Sequence, residues 1–165
     1  MQSKFIVALV VVLSGTTAVL AQTKFSGTLQ CSKAGTIEEH TIEVGDSPNH
    51  SLTISKAKCT FAKPIEIAGT QSKEVIMAGF AEVSGTKISA HNYTAITWAN
   101  GDKAYIYNEV SGVSIPNGPE EEGPWNFTGG TGKLKGIKGK GTYKGGQQPD
   151  GSANYEIEGE YELPK

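Results

Sequence analysis

Residues 125–144 read WNFTGGTGKLKGIKGKGTYK and place six glycines within and between two short runs of alternating apolar residues. Glycine weakens the interior of a strand, so a cluster of glycines in strand-like sequence indicates bends, bulges or close approach of two backbones. Small barrels need such positions for a sheet to curl until it closes. The segment therefore predicts a corner and a late strand of a small closed or nearly closed β-sheet.

Short β-type runs separated by turn residues extend outward from this segment. Residues 74–83 could be helical by composition, but Gly79 in the middle of this run favours a strand. The pattern predicts an all-β barrel or sandwich. Segment 114–124 is rich in Pro, Gly and Glu and predicts an exposed loop. The predicted strands cover residues 24–31, 37–44, 50–61, 64–68, 74–83, a hairpin over 87–112, and 153–163.

The strand register can be predicted in two segments of the sequence. Within residues 50–61 the apolar positions change from even to odd numbers, which predicts a bulge near Ser55 and Lys56. In the hairpin, Asn100-Gly101 allows either a two-residue turn or a three-residue turn with a left-handed Gly101. The second alternative pairs Ile96 with Ala104 and keeps the aliphatic residues on one face, so we expect that register.

The first 21 residues, MQSKFIVALVVVLSGTTAVLA, have an early Lys4, an apolar run over 5–13 and small residues at the end. This pattern is typical of a secretory signal peptide cleaved after Ala21. The apolar run is shorter than the ~20 residues that a membrane-spanning helix needs. We therefore expect a signal peptide over 1–21, a single β-barrel domain over 22–165, a secreted or periplasmic location, and no membrane association after cleavage.

The charge pattern limits the partners. The chain has a formal net charge of −2, and loss of Lys4 with the leader leaves 14 lysines against 17 acidic residues, a net charge of −3. The sequence contains no arginine. Bidentate recognition of phosphate or guanine usually relies on arginine, and a weakly acidic protein does not attract polyanions. We therefore expect no nucleic-acid partner.

Cys31 and Cys59 are the only two cysteines. They could form a disulfide, remain as two buried thiols, or bind a metal together with other ligands. Export favours the disulfide. A metal pair is disfavoured because no further soft ligands lie nearby in the sequence.

The turn Gly129-Gly130-Thr131-Gly132-Lys133-Leu134-Lys135-Gly136, followed by Gly139, resembles the G-G-T-G-x-[FL]-x-G turn of the allene oxide cyclase and dirigent barrels. That resemblance implies a single antiparallel barrel of about eight strands. The mature chain also resembles a group of small exported bacterial proteins through EHTIEVGD (39–46), NHSLTISKAKCT (49–60), WANGDKA (98–104) and the ending EGEYELPK. The turn is structural in its family and therefore implies a fold, whereas no catalytic residue is transferred.

Few residues are candidates for chemistry. None of His40, His50 and His91 is spaced from a second metal ligand as metal motifs require, so we expect no metal site and no cofactor. In the expected register, His91 lies opposite Glu109, beside Tyr93 and Tyr107. A carboxylate next to an imidazole can support proton transfer. The more ordinary interpretation of this pair is an exposed cross-strand ion pair.

Three further patterns have ordinary interpretations. GGTGKL fails as a phosphate-binding loop because Lys133 is followed by Leu134 rather than Ser or Thr. The five lysines between 133 and 144 suggest the solvated face of an edge strand. Glu120-Glu121-Glu122 lacks the alternating oxygen ligands of a calcium loop and suggests a solvated loop.

We expect a barrel that binds a small, partly apolar molecule in its mouth or lumen, with Trp98, Trp125, Tyr93 and Phe80 as candidate ligand contacts. An isomerase or cyclase of the allene oxide cyclase type is the second hypothesis, and a barrel packed solid with side chains is the third. A dry pocket above roughly a few hundred Å3 with one or two polar groups favours the first hypothesis. A lumenal carboxylate or histidine with a partner favours the second, and a filled lumen favours the third. The sequence does not determine the oligomeric state.

Overall fold

The computed structural model describes residues 22–116 and 118–164, so the predicted signal peptide lies outside it. These residues contain ten strands and two single 3-10 turns, Lys33–Gly35 and Gly132–Leu134. Among the described residues, no helix is long and apolar enough to cross a bilayer. The strands are β1 (Thr23–Cys31), β2 (Thr36–Glu43), β3 (His50–Phe61), β4 (Glu66–Ile67), β5 (Thr70–Ser84), β6 (Lys87–Trp98), β7 (Lys103–Ile115), β8 (Gly118–Gly130), β9 (Lys138–Gln147) and β10 (Ala153–Glu162).

Eight of these strands close into an antiparallel barrel. The order β1-β10-β9-β8-β7-β6-β5 is completed by β3, which pairs with β5 along one edge and with the end of β1 along the other. The β1–β3 seam is short and consists of Leu29 opposite Phe61 and Gln30 opposite Thr60. The all-β class and the barrel of eight strands are therefore confirmed.

Strand β2 lies outside the barrel. It pairs with residues 51–57 of β3, on the edge that β1 has left, and all eight of its residues are exposed. The predicted bulge within β3 was wrong, because the β3–β5 register runs without interruption and the irregularity lies between Thr36 and Glu38 of β2. The phase change has another cause. Strand β3 carries apolar residues on both faces, with Ile54 exposed outside and Cys59 and Phe61 buried inside.

The hairpin of β6 and β7 has the register expected from the three-residue turn. Ile96 lies opposite Ala104 and Thr94 lies opposite Ile106. The Trp98 N–H donates to the Asp102 carbonyl at 2.9 Å, and Gly101 adopts a φ of +86°. Glycine enters this left-handed region without the steric cost of a Cβ, which fixes the turn and with it the register of both strands.

Two further interpretations were wrong. Segment 114–124 is not an exposed loop, because β7 continues to Ile115 and β8 already begins at Gly118. Pro119 and Pro124 suggested a loop, but both lie within β8. Pro124 has no N–H to donate to the neighbouring strand. The nearby Glu109 carbonyl of β7 instead accepts a hydrogen bond from the Tyr143 hydroxyl at 3.0 Å. Strand β9 is not an edge strand, since it pairs with both β8 and β10, and its Lys140 and Lys144 lie opposite Glu160 and Glu156.

The glycine cluster makes room for one large side chain. Trp125 lies opposite Gly141 in the register, and Gly141 lies opposite Gly159. The Trp125 ring covers both glycines, and a methyl group at either position would overlap it. The indole N–H donates to the carbonyls of Thr142 at 3.3 Å and Glu158 at 3.2 Å. The glycines therefore allow close approach of the indole. They also allow the close approach of two backbones that the sequence suggested, since a methyl group at Gly141 or Gly159 would overlap the carbonyl of Glu158 or Lys140 as well.

Cys31 and Cys59 form a disulfide, as predicted. It joins the last residue of β1 to β3 beside the short seam, and both cysteines are buried. The closed loop spans a sequence separation of 28 residues, for which loop entropy contributes about 3–4 kcal/mol to the free energy of unfolding. The covalent link thus supports the part of the barrel wall that has the fewest strand pairs.

Replacing Gly159 with alanine tests the role of the indole. We expect Gly159→Ala to lower the free energy of unfolding by about 1–3 kcal/mol, because the new methyl group overlaps the Trp125 ring. The penalty is expected to be smaller in a Trp125→Leu background, as measured by urea unfolding of all four proteins. An equal penalty in both backgrounds would show that the indole is not what excludes a side chain at position 159.

Candidate functional site

The barrel lumen contains a cavity of about 70 Å3. This is well below the ~300–1,000 Å3 typical of ligand pockets, so side chains occupy most of the lumen. The walls are mainly apolar and aromatic, and Glu121 is the single charged side chain among them. The lining residues are Phe25, Leu29, Phe61, Ile65, Val75, Met77, Asn92, Thr94, Ile96, Ile106, Asn108, Glu121, Trp125, Phe127, Tyr143, Tyr155 and Ile157.

Glu121 reaches the lumen through the alternation of β8. Its neighbours Glu120 and Glu122 are exposed, whereas Trp125 and Phe127, an even number of positions away, are buried. Successive side chains of a strand point to opposite faces, so Glu121 shares the inner face with both aromatic residues. It lies between Gly112 of β7 and Gly145 of β9 in the register. Neither neighbour has a side chain, which leaves space for the carboxylate.

The carboxylate has a tyrosine partner. The Tyr155 hydroxyl donates to Oε2 of Glu121 at 3.0 Å. Burial raises the pKa of the Glu121 carboxyl above its ordinary value, and the hydrogen bond from Tyr155 offsets part of this shift. Burial, followed by the nearby negative charge of Glu121, also raises the pKa values of Tyr143 and Tyr155. Both phenols therefore remain neutral hydrogen-bonding groups at any physiological pH.

Amide groups add to the polar character of the lumen. Asn92 of β6 and Asn108 of β7 lie directly opposite each other and both line the cavity. The Asn92 side chain lies over Gly79 of β5, where a methyl group would overlap it. The arrangement is a mostly apolar chamber with a carboxyl, two phenols and two amides, groups that can orient a bound molecule.

Of the four residues predicted to contact a ligand, one lines the cavity and three do not. Trp125 lines the cavity. Trp98 is only 1% exposed and does not line the cavity, and its indole N–H has no hydrogen-bond partner among the described residues. Phe80 and Tyr93 lie on the outer face of the barrel, where Tyr93 is 62% exposed.

The predicted pair of His91 and Glu109 also lies outside the lumen. The two residues are opposite in the register, as expected, and in the part of the chain that the structure describes no hydrogen bond joins their side chains. The His91 ring instead packs against three aromatic rings, with centroid distances of 5.7 Å to Phe80, 6.2 Å to Tyr93 and 6.1 Å to Tyr107. These residues form an outer aromatic cluster separate from the cavity.

The other histidines make hydrogen bonds on the surface. His40 contacts Glu38 at 3.1 Å, and His50 contacts both Asp46 at 2.5 Å and Glu82 at 2.9 Å. The hydrogen bond with Asp46 and then that with Glu82 raise the pKa of His50. Within residues 22–116 and 118–164, no three His, Cys, Asp or Glu side chains come together in a way that could hold a metal ion.

A larger groove shares Glu121 with the lumenal cavity and is less suited to bind a small molecule. Its volume is about 1020 Å3, and it is open to solvent across β7 to β10. Exposed charged residues such as Glu122, Lys144 and Glu156 alternate there with glycines. Solvent competes for such groups, whereas the lumen excludes water from most of its wall. We therefore place the candidate site in the lumen.

The barrel has counterparts among solved structures. The pterocarpan synthase dirigent protein PsPTS1 superimposes with a TM-score of 0.53, over 88% of this chain and 97% of that chain, at 13% identity. The chain has the dirigent barrel fold. A second dirigent protein, the pterocarpan synthase GePTS1, superimposes with a TM-score of 0.51, over 88% and 92% of the two chains, at 15% identity. No family model matches the sequence, and no curated protein is similar to it. At these identities, the likeness to dirigent proteins concerns the fold alone.

Sequence reasoning missed Glu121, Tyr155, Asn92 and Asn108. The signal for Glu121 was present, because it alternates with Gly123, Trp125 and Phe127. The two neighbouring glutamates and the two prolines concealed it by resembling a solvated loop. Tyr155 could be placed beside it only once the pairing of β8, β9 and β10 was known, since 34 residues separate the two in sequence.

The raised pKa of Glu121 predicts a pH-dependent stability. At about pH 4 the carboxyl is mostly protonated in both states, whereas at about pH 7 its unfolded form is charged and the folded form resists charging. Wild-type protein should therefore lose stability relative to Glu121→Gln as the pH rises between these values. Urea unfolding at both pH values measures the difference.

The adjacent Glu122→Gln is the matched control, because Glu122 is exposed on the outer face of the same strand. Its stability relative to wild type should change little over that pH range. A pH-independent difference between Glu121→Gln and wild type would contradict the desolvated environment assigned to Glu121.

Proposed function

We propose that this barrel binds a small, partly apolar molecule in its lumen and holds the polar end of that molecule at Glu121 and Tyr155. The observation that carries the proposal is a hydrogen-bonded carboxyl in a mostly apolar and aromatic cavity. A barrel selected only for packing gains nothing from this group, because burial of a carboxyl is unfavourable. A binding site, in contrast, requires a few polar groups that fix the orientation of its ligand.

The size of the cavity limits the ligand. A volume of about 70 Å3 leaves room for a few solvent-sized groups between the side chains. Met77 lies on the wall, and an unbranched thioether adapts its shape more easily than a branched or aromatic side chain. We therefore propose a ligand no larger than a single substituted ring, admitted with rearrangement of Met77.

Filling the lumen tests this function. Saturation-transfer NMR with benzyl alcohol as the probe is expected to show binding to wild-type protein. Met77→Phe and Ile157→Phe add bulk to the cavity wall and should weaken binding at least about fivefold, since a cavity this small has no spare volume. Circular dichroism and urea unfolding establish that each variant is folded.

Ala78→Phe is the matched control, because Ala78 neighbours Met77 and lies opposite Tyr93 of the outer aromatic cluster. It adds the same ring on the outer face of β5 and should leave binding unchanged. Equal binding by all three variants would place the benzyl alcohol outside the lumen and refute the proposal.

The same carboxyl supports proton transfer as a second candidate function. A carboxyl with a raised pKa, oriented by a tyrosine in an apolar cavity, suits a general acid in an isomerisation or cyclisation. We place binding first, because binding requires only the groups that line the cavity, whereas catalysis also requires a substrate aligned with the carboxyl.

We further propose that the protein is exported to the cell exterior or periplasm. The leader-like residues 1–21 and the Cys31–Cys59 disulfide support this location, since disulfides persist in oxidising compartments. Intact-mass measurement on protein recovered from the extracellular or periplasmic fraction should give a chain that begins at Gln22 and is two hydrogens lighter than its reduced form. Recovery of the uncleaved chain from the cytoplasm would contradict export.

A further inference from the structure

The ionisable groups that line the lumen are all acids. Glu121, Tyr143 and Tyr155 line the cavity, and no lysine or histidine of the described residues does. Both tyrosines are kept neutral by burial and by the nearby carboxylate. Any charge that the cavity carries is therefore the single negative charge of Glu121, and no fixed positive charge compensates it within the lumen.

Glu121 has no cationic partner among the described residues. The ion pairs of this part of the chain involve Glu38, Asp46, Glu82 and Glu74, all outside the cavity wall. The hydrogen bond from Tyr155 uses Oε2, and no group of the described chain donates to Oε1. Glu121 is half-buried in a mostly apolar setting, so less water competes for its charge than at the surface, and a cation that reaches the carboxylate is stabilised there.

The aromatic walls add to this preference. Phe25 packs against Trp125 with a centroid distance of 5.5 Å, and Tyr143 packs against Tyr155 at 5.8 Å. The negatively polarised faces of such rings attract cations. The Trp125 N–H is already bonded to two backbone carbonyls, so this residue offers its ring rather than a donor.

We propose that the lumenal ligand is a protonated amine on a small apolar body, with its ammonium group at Oε1 of Glu121 and its apolar part against the aromatic wall. This inference rests on the proposed lumenal binding and specifies the chemical class of the ligand. A carboxylate ligand would meet the negative charge of Glu121. A neutral alcohol could accept or donate one hydrogen bond and would leave the carboxylate uncompensated.

Amine binding and the protonation of Glu121 are linked. The ammonium group favours the charged carboxylate, so its arrival displaces the proton that burial otherwise retains. The affinity for an amine should therefore rise as the pH increases from about 4.5 to about 7.5, a range in which a benzylic amine stays protonated. The affinity for a neutral probe of the same size should change little.

Three probes of nearly equal size separate these ligand classes. Benzylamine, benzyl alcohol and benzoate are titrated by NMR against wild-type protein, Glu121→Gln and Glu122→Gln. We expect wild-type protein to bind benzylamine about tenfold more tightly than benzyl alcohol, and benzoate more weakly than either. Glu121→Gln should remove the preference for the amine, whereas Glu122→Gln, with its change on the outer face, should retain it.

The outcomes separate this inference from the proposed function. If benzyl alcohol binds in the lumen as tightly as benzylamine, the amine class is overturned while lumenal binding stands. If Met77→Phe leaves the binding of every probe unchanged, lumenal binding itself is overturned. The pH dependence for wild-type protein needs no variant, so a flat profile for benzylamine overturns the inference even where Glu121→Gln does not fold.

Discussion

The packing of Trp125 across Gly141 and Gly159 is the constraint on which the rest of the barrel depends. One indole lies over two strands, bonds to two of their carbonyls and contacts Phe25 of β1. The arrangement links β8, β9, β10 and β1, half of the closed wall, through one side chain. Because interiors are packed as densely as organic crystals, this ring needs positions without side chains beneath it, and the two glycines provide them.

Glycines also make room for the polar groups of the candidate site. Glu121 lies between Gly112 and Gly145, and Asn92 lies over Gly79, so each polar group occupies space that a side chain on the next strand would take. Large and absent side chains thus alternate around the inner wall, which is how a small barrel fills its taper. Packing leaves one narrow cavity, and its polar groups lie where glycines make room for them.

Some parts of the sheet could be predicted from the sequence more accurately than others. The hairpin of β6 and β7 was predictable to the residue, because the Asn100-Gly101 turn and the aliphatic pattern both select one register. Strand β3 was misinterpreted, since apolar residues on its outer face resemble the signature of a bulge. Phe80 and Tyr93 were expected in the lumen or its mouth but lie on the outer face for a related reason: alternation shows that two faces differ but does not identify which one encloses the lumen.

The sequence by itself determined the β class, most strand positions, the hairpin register and the pairing of two cysteines, because these follow from local alternation, turn chemistry and the absence of competing thiols. Only the tertiary structure decided that the Trp125 indole packs over Gly141 and Gly159, that β2 lies outside the barrel, and that Tyr155 donates a hydrogen bond to Glu121 in the lumen. Those outcomes depend on contacts between strands distant in sequence. The physical reason is closure: until the sheet curls and β3 meets β1, neither face is inside, and Glu121 is not shielded from water even in part.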